Sequence, residues 1–388
     1  MSRHDVTIYL PSSAGLFRPV GRAGGAQQQM ALLAGELARR GFRVAFVVYP
    51  IPGHQPGIDP RITLVERKEH AGGTGPLQTV LEGVRVLRAL LAANGRVVVV
   101  RSGTPVVGLV ALYCRLWRRT FVFSSANDLD FLDQWSRRTR TYAFGVRSAD
   151  AVVVQSQEQE ALARRRYPNI RKLVCIPSFA DEPRTVETRG APTAFFWVGR
   201  LVEYKRPFLY ADLAAAVPDA RFVLIPLRLP LRPLDHAAER DALEQLELAA
   251  ARIPNLELRD SLPHAALVEE LASAVAVVST SSFEGMPNTF LEAWSQGVPV
   301  LTLSFDPDGV IQERGLGVSA DDSWERFVEG ARQLWNGRFE REELEQRTRN
   351  YIREVHSIES VGAQWQALLE SVGGLAPSAA AAAARSSP

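Results

Sequence analysis

The segment Phe195-Phe-Trp-Val-Gly199-Arg200-Leu-Val-Glu-Tyr-Lys205-Arg206-Pro207 runs an apolar strand pattern into a glycine and then presents cations. Gly199 lets the chain turn closely, and Arg200 and Lys205 are spaced so that one loop brings both to a diphosphate. A guanidinium offers a planar fork and an ammonium a point charge, and both suit phosphate oxygens. Only three of the 45 basic residues are lysines (Lys68, Lys172 and Lys205), so a lysine at this place hints at a steric need. Taken alone, the segment also reads as a strand, a turn and solvated charges.

A second stretch, Ser281-Ser-Phe-Glu284-Gly285-Met286-Pro287-Asn288-Thr-Phe-Leu-Glu292, adds carboxylates. A strand ends near Ser279 and a helix opens near Pro287, a residue well tolerated in a first helical turn. The amides of Gly285, Met286 and Asn288 then face outward at a positive helix end, which suits an anion. Glu284 precedes the helix, where a neutral sugar ring can meet it. Glu292 sits inside the helix, and its carboxylate accepts two hydroxyl hydrogen bonds, as a ribose diol requires. One such motif is also an ordinary helix start with a solvated glutamate. Two carboxylates at this spacing, a glycine-proline entry and the upstream cations are together much harder to dismiss.

The elements that must position these residues follow from periodicity. Short β-branched runs alternate with helical patterns, which predicts parallel sheets built from βαβ units. In the first half the strands are Val6 to Leu10, Arg43 to Val48, Val97 to Val100, Thr120 to Phe123, Ala151 to Val154 and Leu173 to Ile176. A glycine-rich loop, Gly21 to Gln27, precedes a helix over Gln28 to Arg40 that Gly41 caps. The proline-bearing stretch 179–192 reads as a linker. A second series follows at Thr193 to Val198, Arg221 to Leu224, Leu256 to Leu258, Val275 to Ser279 and Val298 to Leu303. Helices are predicted over Trp324 to Trp335 and about Ile358 to Val372. The domains expected are therefore 1–178 and 193–355, with 356–374 a returning helix and 375–388 an unstructured Ala/Ser tail. Two α/β halves leave a crevice, and open α/β sheets bind ligands at the carboxyl ends of their strands.

Composition narrows the class. At 388 residues, 46% apolar and 23% charged, the chain reads as a two-domain globular protein. The net charge of +2 gives no reason to expect nucleic acid. Between Leu81 and Lys172, however, 16 Arg and Lys stand against 7 Asp and Glu. That excess suits an anionic acceptor or a membrane surface, and equally a set of solvated arginine faces. Cys114 and Cys175 are too few for a disulfide framework or zinc cluster, which predicts a reducing, cytoplasmic setting. The run Thr104 to Cys114 is too short to span a bilayer; it reads as a buried helix or one lying at a lipid interface.

On these motifs the sequence resembles the GT-B glycosyltransferases, specifically the large retaining group called family 4, over Val6 to about Leu369. Glu284 and Glu292 match that family's two-glutamate motif, and Gly199-Arg200 with Lys205 its phosphate-binding positions. The resemblance implies a GT-B fold, two Rossmann-like parallel-sheet domains facing a cleft. It implies that Arg200 and Lys205 hold the diphosphate of a UDP- or GDP-linked sugar, that Glu284 contacts the sugar, that Gly285, Met286, Pro287 and Asn288 shape the amide site, and that Glu292 holds the ribose. A glycine-rich loop at the cleft would correspond to Gly24, Gly25 and Gln27. A plain strand-to-helix turn is the other reading of that stretch.

Many relatives place a histidine after the strand that ends near Phe123, and here there is none. Asp128, with Asn127 and Asp130 behind it, is the candidate to orient or deprotonate an acceptor hydroxyl. Asp128-Leu-Asp130 also spells a metal-binding pattern, but Arg200 and Lys205 already supply the positive charge, so no cofactor and no obligatory metal are expected. The acceptor is expected to be a hydroxyl, on a lipid-linked oligosaccharide if the basic first half meets a membrane, with secondary metabolites as the alternative. Two readings compete: a nucleotide-sugar epimerase of the same architecture, separated by product formation without acceptor, and a donor-binding protein without turnover.

Overall fold

The computed structural model describes residues 3–17, 24–51, 59, 61–68, 76–101, 103–132, 140–181, 191–227, 233–337 and 340–376. The predicted tail from 377 onward and most of the predicted linker, 182–190, lie outside the described residues. The chain divides into two compact units, Met1–Phe179 with Ile358–Pro388, and Ala180–Ser357.

The first unit is built on seven parallel strands: β1 (His4–Tyr9), β2 (Val44–Val48), β3 (Ile62–Glu66), β4 (Gly95–Val100), β5 (Thr120–Ser124), β6 (Ala151–Val154) and β7 (Leu173–Cys175). Their order is β3-β2-β1-β4-β5-β6-β7. Val6 of β1 stands opposite Val44 on one side and Val97 on the other. The inner strands are buried on both faces, which is why they read as continuous valine runs rather than alternating ones. Helices α1 (Gly25–Arg39), α2 (Pro76–Ala93), α3 (Val106–Leu116), α4 (Arg140–Ser148) and α5 (Gln157–Arg166) supply the cover. Helix α1 starts earlier than its hydrophobic pattern implies. Gly24 is its extended N-cap, its carbonyl accepts from the Gln28 amide at 3.1 Å, and Gly25 and Gln27 lie in the first turn rather than in a loop.

Helices α3 and α4 approach through two glycines. A Cβ on Gly108 would stand 2.1 Å from the carbonyl oxygen of Thr141, and one on Gly145 would stand 2.7 Å from the Gly108 nitrogen. The C-terminal helix Ile358–Gly373 packs on α1 and β4. Their contact is ionic as well as apolar. Buried Glu36 accepts from Arg39 at 2.6 Å and Arg40 at 2.5 Å, and Arg40 continues to Glu359 at 2.9 Å and Gln366 at 3.0 Å.

The second unit has six parallel strands: β8 (Ala194–Gly199), β9 (Phe222–Pro226), β10 (Leu256–Leu258), β11 (Ala274–Ser279), β12 (Val300–Thr302) and β13 (Gly317–Ser319), in the order β10-β9-β8-β11-β12-β13. Around them run α6 (Pro207–Ala216), α7 (Pro233–Ala250), α8 (His264–Leu271), α9 (Asn288–Ser295), α10 (Val310–Glu313), α11 (Trp324–Trp335) and α12 (Arg341–Tyr351). The period-two alternation of a strand is visible in β8. Phe195 and Trp197 join one core with Tyr210 and Phe327, while Phe196 and Val198 join the other with Phe290 and Trp294. In this sheet the strand order reverses between β8 and β11, so the loops after Gly199 and after Ser279 border the switch point where open α/β sheets take ligands.

Candidate active site

These two loops are stitched into a single pad. The indole nitrogen of Trp197 donates to the Thr280 hydroxyl at 3.0 Å, and that hydroxyl donates to the Lys205 carbonyl at 2.7 Å. The Ser282 amide donates to the Tyr204 carbonyl at 2.9 Å, and the Tyr204 and Phe283 rings stack with centroids 5.0 Å apart. Arg206 completes the clamp. Its guanidinium donates to the carbonyls of Thr280 at 2.6 Å and Ser281 at 3.2 Å, and to the Ser304 hydroxyl after β12. Arg206 has left-handed backbone angles, φ 46° and ψ 54°, which are costly for a side-chain-bearing residue and persist where the surroundings fix them. As a sequence feature it is one more charge, and only its partners reveal the clamp.

On this pad Lys205 and Glu284 meet as an ion pair, both mostly buried, and Ser281 donates to the same Glu284 oxygen at 3.1 Å. Glu284 is thus tied to a cation in this structure. Helix α9 starts at Asn288, with Pro287 as its N-cap rather than its first turn, at φ −65° and ψ 132°. The amides of Gly285 and Met286 have no partner among the described residues. Glu292 lies inside α9, and its carboxylate meets the His264 ring nitrogen at 2.9 Å. Arg200 does not join Lys205. It bonds Glu239 of α7 at 3.3 Å and walls a cavity of about 510 Å³ with Phe208 and Ala242. Gathering it onto a shared phosphate therefore requires breaking the Glu239 contact.

In the first unit, Gly24, Gly25 and Gln27 follow the β1 loop. The Gln27 amide donates to the Ser12 hydroxyl at 3.2 Å. Its neighbour Gln29 is the structural residue. Its amide group both donates to the Phe179 carbonyl at 2.8 Å and accepts from the Phe179 nitrogen at 2.7 Å, which fixes the end of this unit. Asp128 is buried in the turn after β5. Asp130 is engaged in the turn itself. One of its oxygens accepts from the Ser125 hydroxyl at 3.1 Å and the Ala126 and Asn127 amides at 2.6 and 3.4 Å, closing the turn as a cap. Among the described residues no group of three His, Cys, Asp or Glu side chains is arranged to hold a metal ion.

Arg101, at the end of β4, is a residue the sequence pattern does not reveal. It is fully enclosed, bonds only the Ser124 hydroxyl at 3.5 Å among the described residues, and has Asp130 as its facing charge. Burial pushes its guanidinium down to about 10, and burial likewise raises Asp130 above the ordinary 3.8. A carboxyl raised in the folded state holds its proton more readily there, so its ionisation weakens the fold as pH climbs above about 4. Asp130→Asn keeps an oxygen for all three donors and removes that slope. Asp130→Ala strands two amides and is expected to cost about 2–4 kcal/mol. Urea denaturation at several pH values separates the two variants.

Family models match both halves of the chain: a glycosyl transferase 4-like domain over residues 24–178 and glycosyl transferases group 1 over residues 179–355. The chain belongs to the group 1 glycosyltransferases. Solved structures agree on the GT-B fold. Sucrose-phosphate synthase from Thermosynechococcus elongatus superposes with a TM-score of 0.74 at 17% identity, covering 95% of this chain and 99% of that one. The pneumococcal O-GlcNAc transferase GtfA, solved with UDP and GlcNAc, gives 0.68 at 11% identity over 95% and 99%. WaaG, a glycosyltransferase involved in lipopolysaccharide biosynthesis, gives 0.66 at 15% over 95% and 100%. No curated protein sequence matches the chain. For this glycosyltransferase the pad of Lys205, Glu284 and the α9 entry is the candidate active site.

Proposed function

We propose that this glycosyltransferase moves a sugar from a UDP- or GDP-linked donor to an acceptor hydroxyl with retention at the anomeric carbon. The acceptor is a growing polysaccharide, glycolipid or other glycoconjugate. The observation that carries the reading is Lys205 held against Glu284 beside the unpartnered amides of Gly285 and Met286, at the carboxyl edge where the strand order reverses. In this reading the bond from the anomeric carbon to the donor phosphate breaks as the bond to the acceptor oxygen forms. Lys205 and the amides face the negative charge that grows on the leaving diphosphate, the kind of preorganised field that dominates such catalysis. Arg200 joins them by leaving Glu239. Glu284 meets hydroxyls of the transferred sugar, and Glu292, already aimed by His264, takes the ribose diol.

Asp128 is the proposed acceptor-side carboxylate, receiving or orienting the hydroxyl proton. No step is assigned to a metal, because cations and amides supply the positive charge. Cys114 and Cys175 form no disulfide, which supports placing the reaction in the cytoplasm. Glu292→Gln tests the ribose assignment. One of two charge-assisted hydrogen bonds is lost, so KM for the nucleotide sugar rises about 10-fold with kcat little changed. An unchanged KM removes Glu292 from the donor site. Proton nuclear magnetic resonance of the new glycosidic linkage checks retention.

A further inference from the structure

Helix α2 is apolar on both sides. Val86, Ala89, Leu90 and Ala93 are buried, yet Leu77, Val80, Leu81, Val84 and Leu91 stand 39–71% exposed on the outer side. Helix α3 repeats the pattern, with Val107, Val110 and Cys114 inward and Leu109, Leu112, Leu116 and the following Trp117 exposed. Between the two helices lies an apolar groove of about 270 Å³, and the Trp117 ring stacks on Tyr113 at its edge. A helix facing water carries polar residues there, and scattered single leucines need no explanation, but a continuous apolar face on two neighbouring helices does. The second unit shows only Phe208 and Leu248 as exposed large apolar side chains among the described residues.

We infer that the first unit docks on an anionic lipid bilayer through the outer faces of α2 and α3. The charges on these helices select the occupant. Arg88, Arg115 and Arg118 are exposed and have no hydrogen bond or ion pair among the described residues. Glu82 is the one acidic residue on the two helices, and Arg67 and Arg85 already hold it. A second copy docking by two-fold symmetry would bring this arginine-bearing face against itself, cation toward cation. A bilayer surface offers hydrocarbon to the leucines, an interfacial layer to Trp117 and lipid phosphates to the arginines. No helix of the described residues is long and apolar enough to cross a membrane, so the contact is a surface one.

The docking stands apart from the transfer reaction, and flotation of the full chain with vesicles tests it. The chain should bind vesicles of phosphatidylcholine mixed with phosphatidylglycerol, bind phosphatidylcholine alone weakly, and release in high salt. Leu112→Ser with Leu116→Ser, and separately Arg115→Glu with Arg118→Glu, should each lower the partition coefficient about 10-fold or more. Both double variants should keep the melting temperature and the nucleotide-induced shift of the parent. No binding to the anionic vesicles, or equal binding by all three proteins, overturns the inference. So does a dimer in light scattering that Leu112→Ser with Leu116→Ser dissolves while the parent fails to float. Vesicle binding without transfer would leave docking intact and refute the proposed reaction; transfer without vesicle binding would do the reverse.

Discussion

Lys205→Ala is expected to lower transfer by about 10²–10³-fold, the range found when one preorganised donor to a developing anion is removed. Two effects act together. The ammonium facing the leaving group is lost, and the partly buried Glu284 carboxylate is left without its cation in a place that must accept a diphosphate. Donor affinity should therefore fall along with turnover. Lys205→Arg keeps the charge but replaces a compact ammonium with a wider fork, and it should recover donor affinity better than turnover. Lys205→Ala with Glu284→Gln removes the stranded carboxylate. It should regain part of the donor affinity and none of the turnover, since both groups act on the same transition state. Steady-state kcat and KM on these four proteins and on Glu284→Gln check this, and additive losses from the two sites would show that Lys205 and Glu284 work independently.

Glu36→Ala is expected to be the most destabilising single change in the first unit, at about 3–5 kcal/mol. Glu36 is nearly inaccessible and takes both Arg39 and Arg40. Its loss leaves the Arg40 guanidinium, 3% exposed, facing Glu359 and Gln366 but with an empty place where its best partner stood. The C-terminal helix depends on this contact. A Cβ on Gly362 would lie 2.5 Å from the Glu36 side chain, so the helix rests directly on the ion pair. For a unit of the size of Met1–Phe179 with Ile358–Pro388, the loss corresponds to a fall in melting temperature of roughly 6–20 °C. Calorimetry measures it, and a fall below about 2 °C would show that Glu359 alone satisfies Arg40.

The residues proposed for the donor side stand out in the sequence because their motif is local. Gly199, Lys205, Glu284 and Glu292 stand at fixed short distances from strand ends whose apolar runs are unmistakable. The period-two pattern of β8 and the helical spacing of Trp324–Trp335 are visible for the same reason. What escapes the sequence is what depends on distant partners. Arg206 joins three loops, and Arg40, held by Glu36, reaches a helix more than 300 residues away. The edge strands β3 and β13 escape the pattern for other reasons: β3 is only half-buried, and β13 is a three-residue strand that opens on Gly317. Arg101 and Asp130 look like loop charges until the fold encloses them. The pairing of Arg200 with Glu239 shows the limit of spacing, because two cations five residues apart need not face the same way.

The most direct test is a thermal-shift titration with UDP, GDP and their sugar conjugates, on the parent chain and on Lys205→Ala. A ligand that binds only the folded state raises its melting temperature by mass action, by about 2.7 kcal/mol of added stability at 100-fold over Kd. One nucleoside diphosphate and its sugar conjugate should stabilise the parent, and Lys205→Ala should lose most of that shift, each shift being measured from the variant's own ligand-free melting temperature. If no nucleotide shifts the parent, or if Lys205→Ala responds as the parent does, the pad between β8 and β11 is not the donor site.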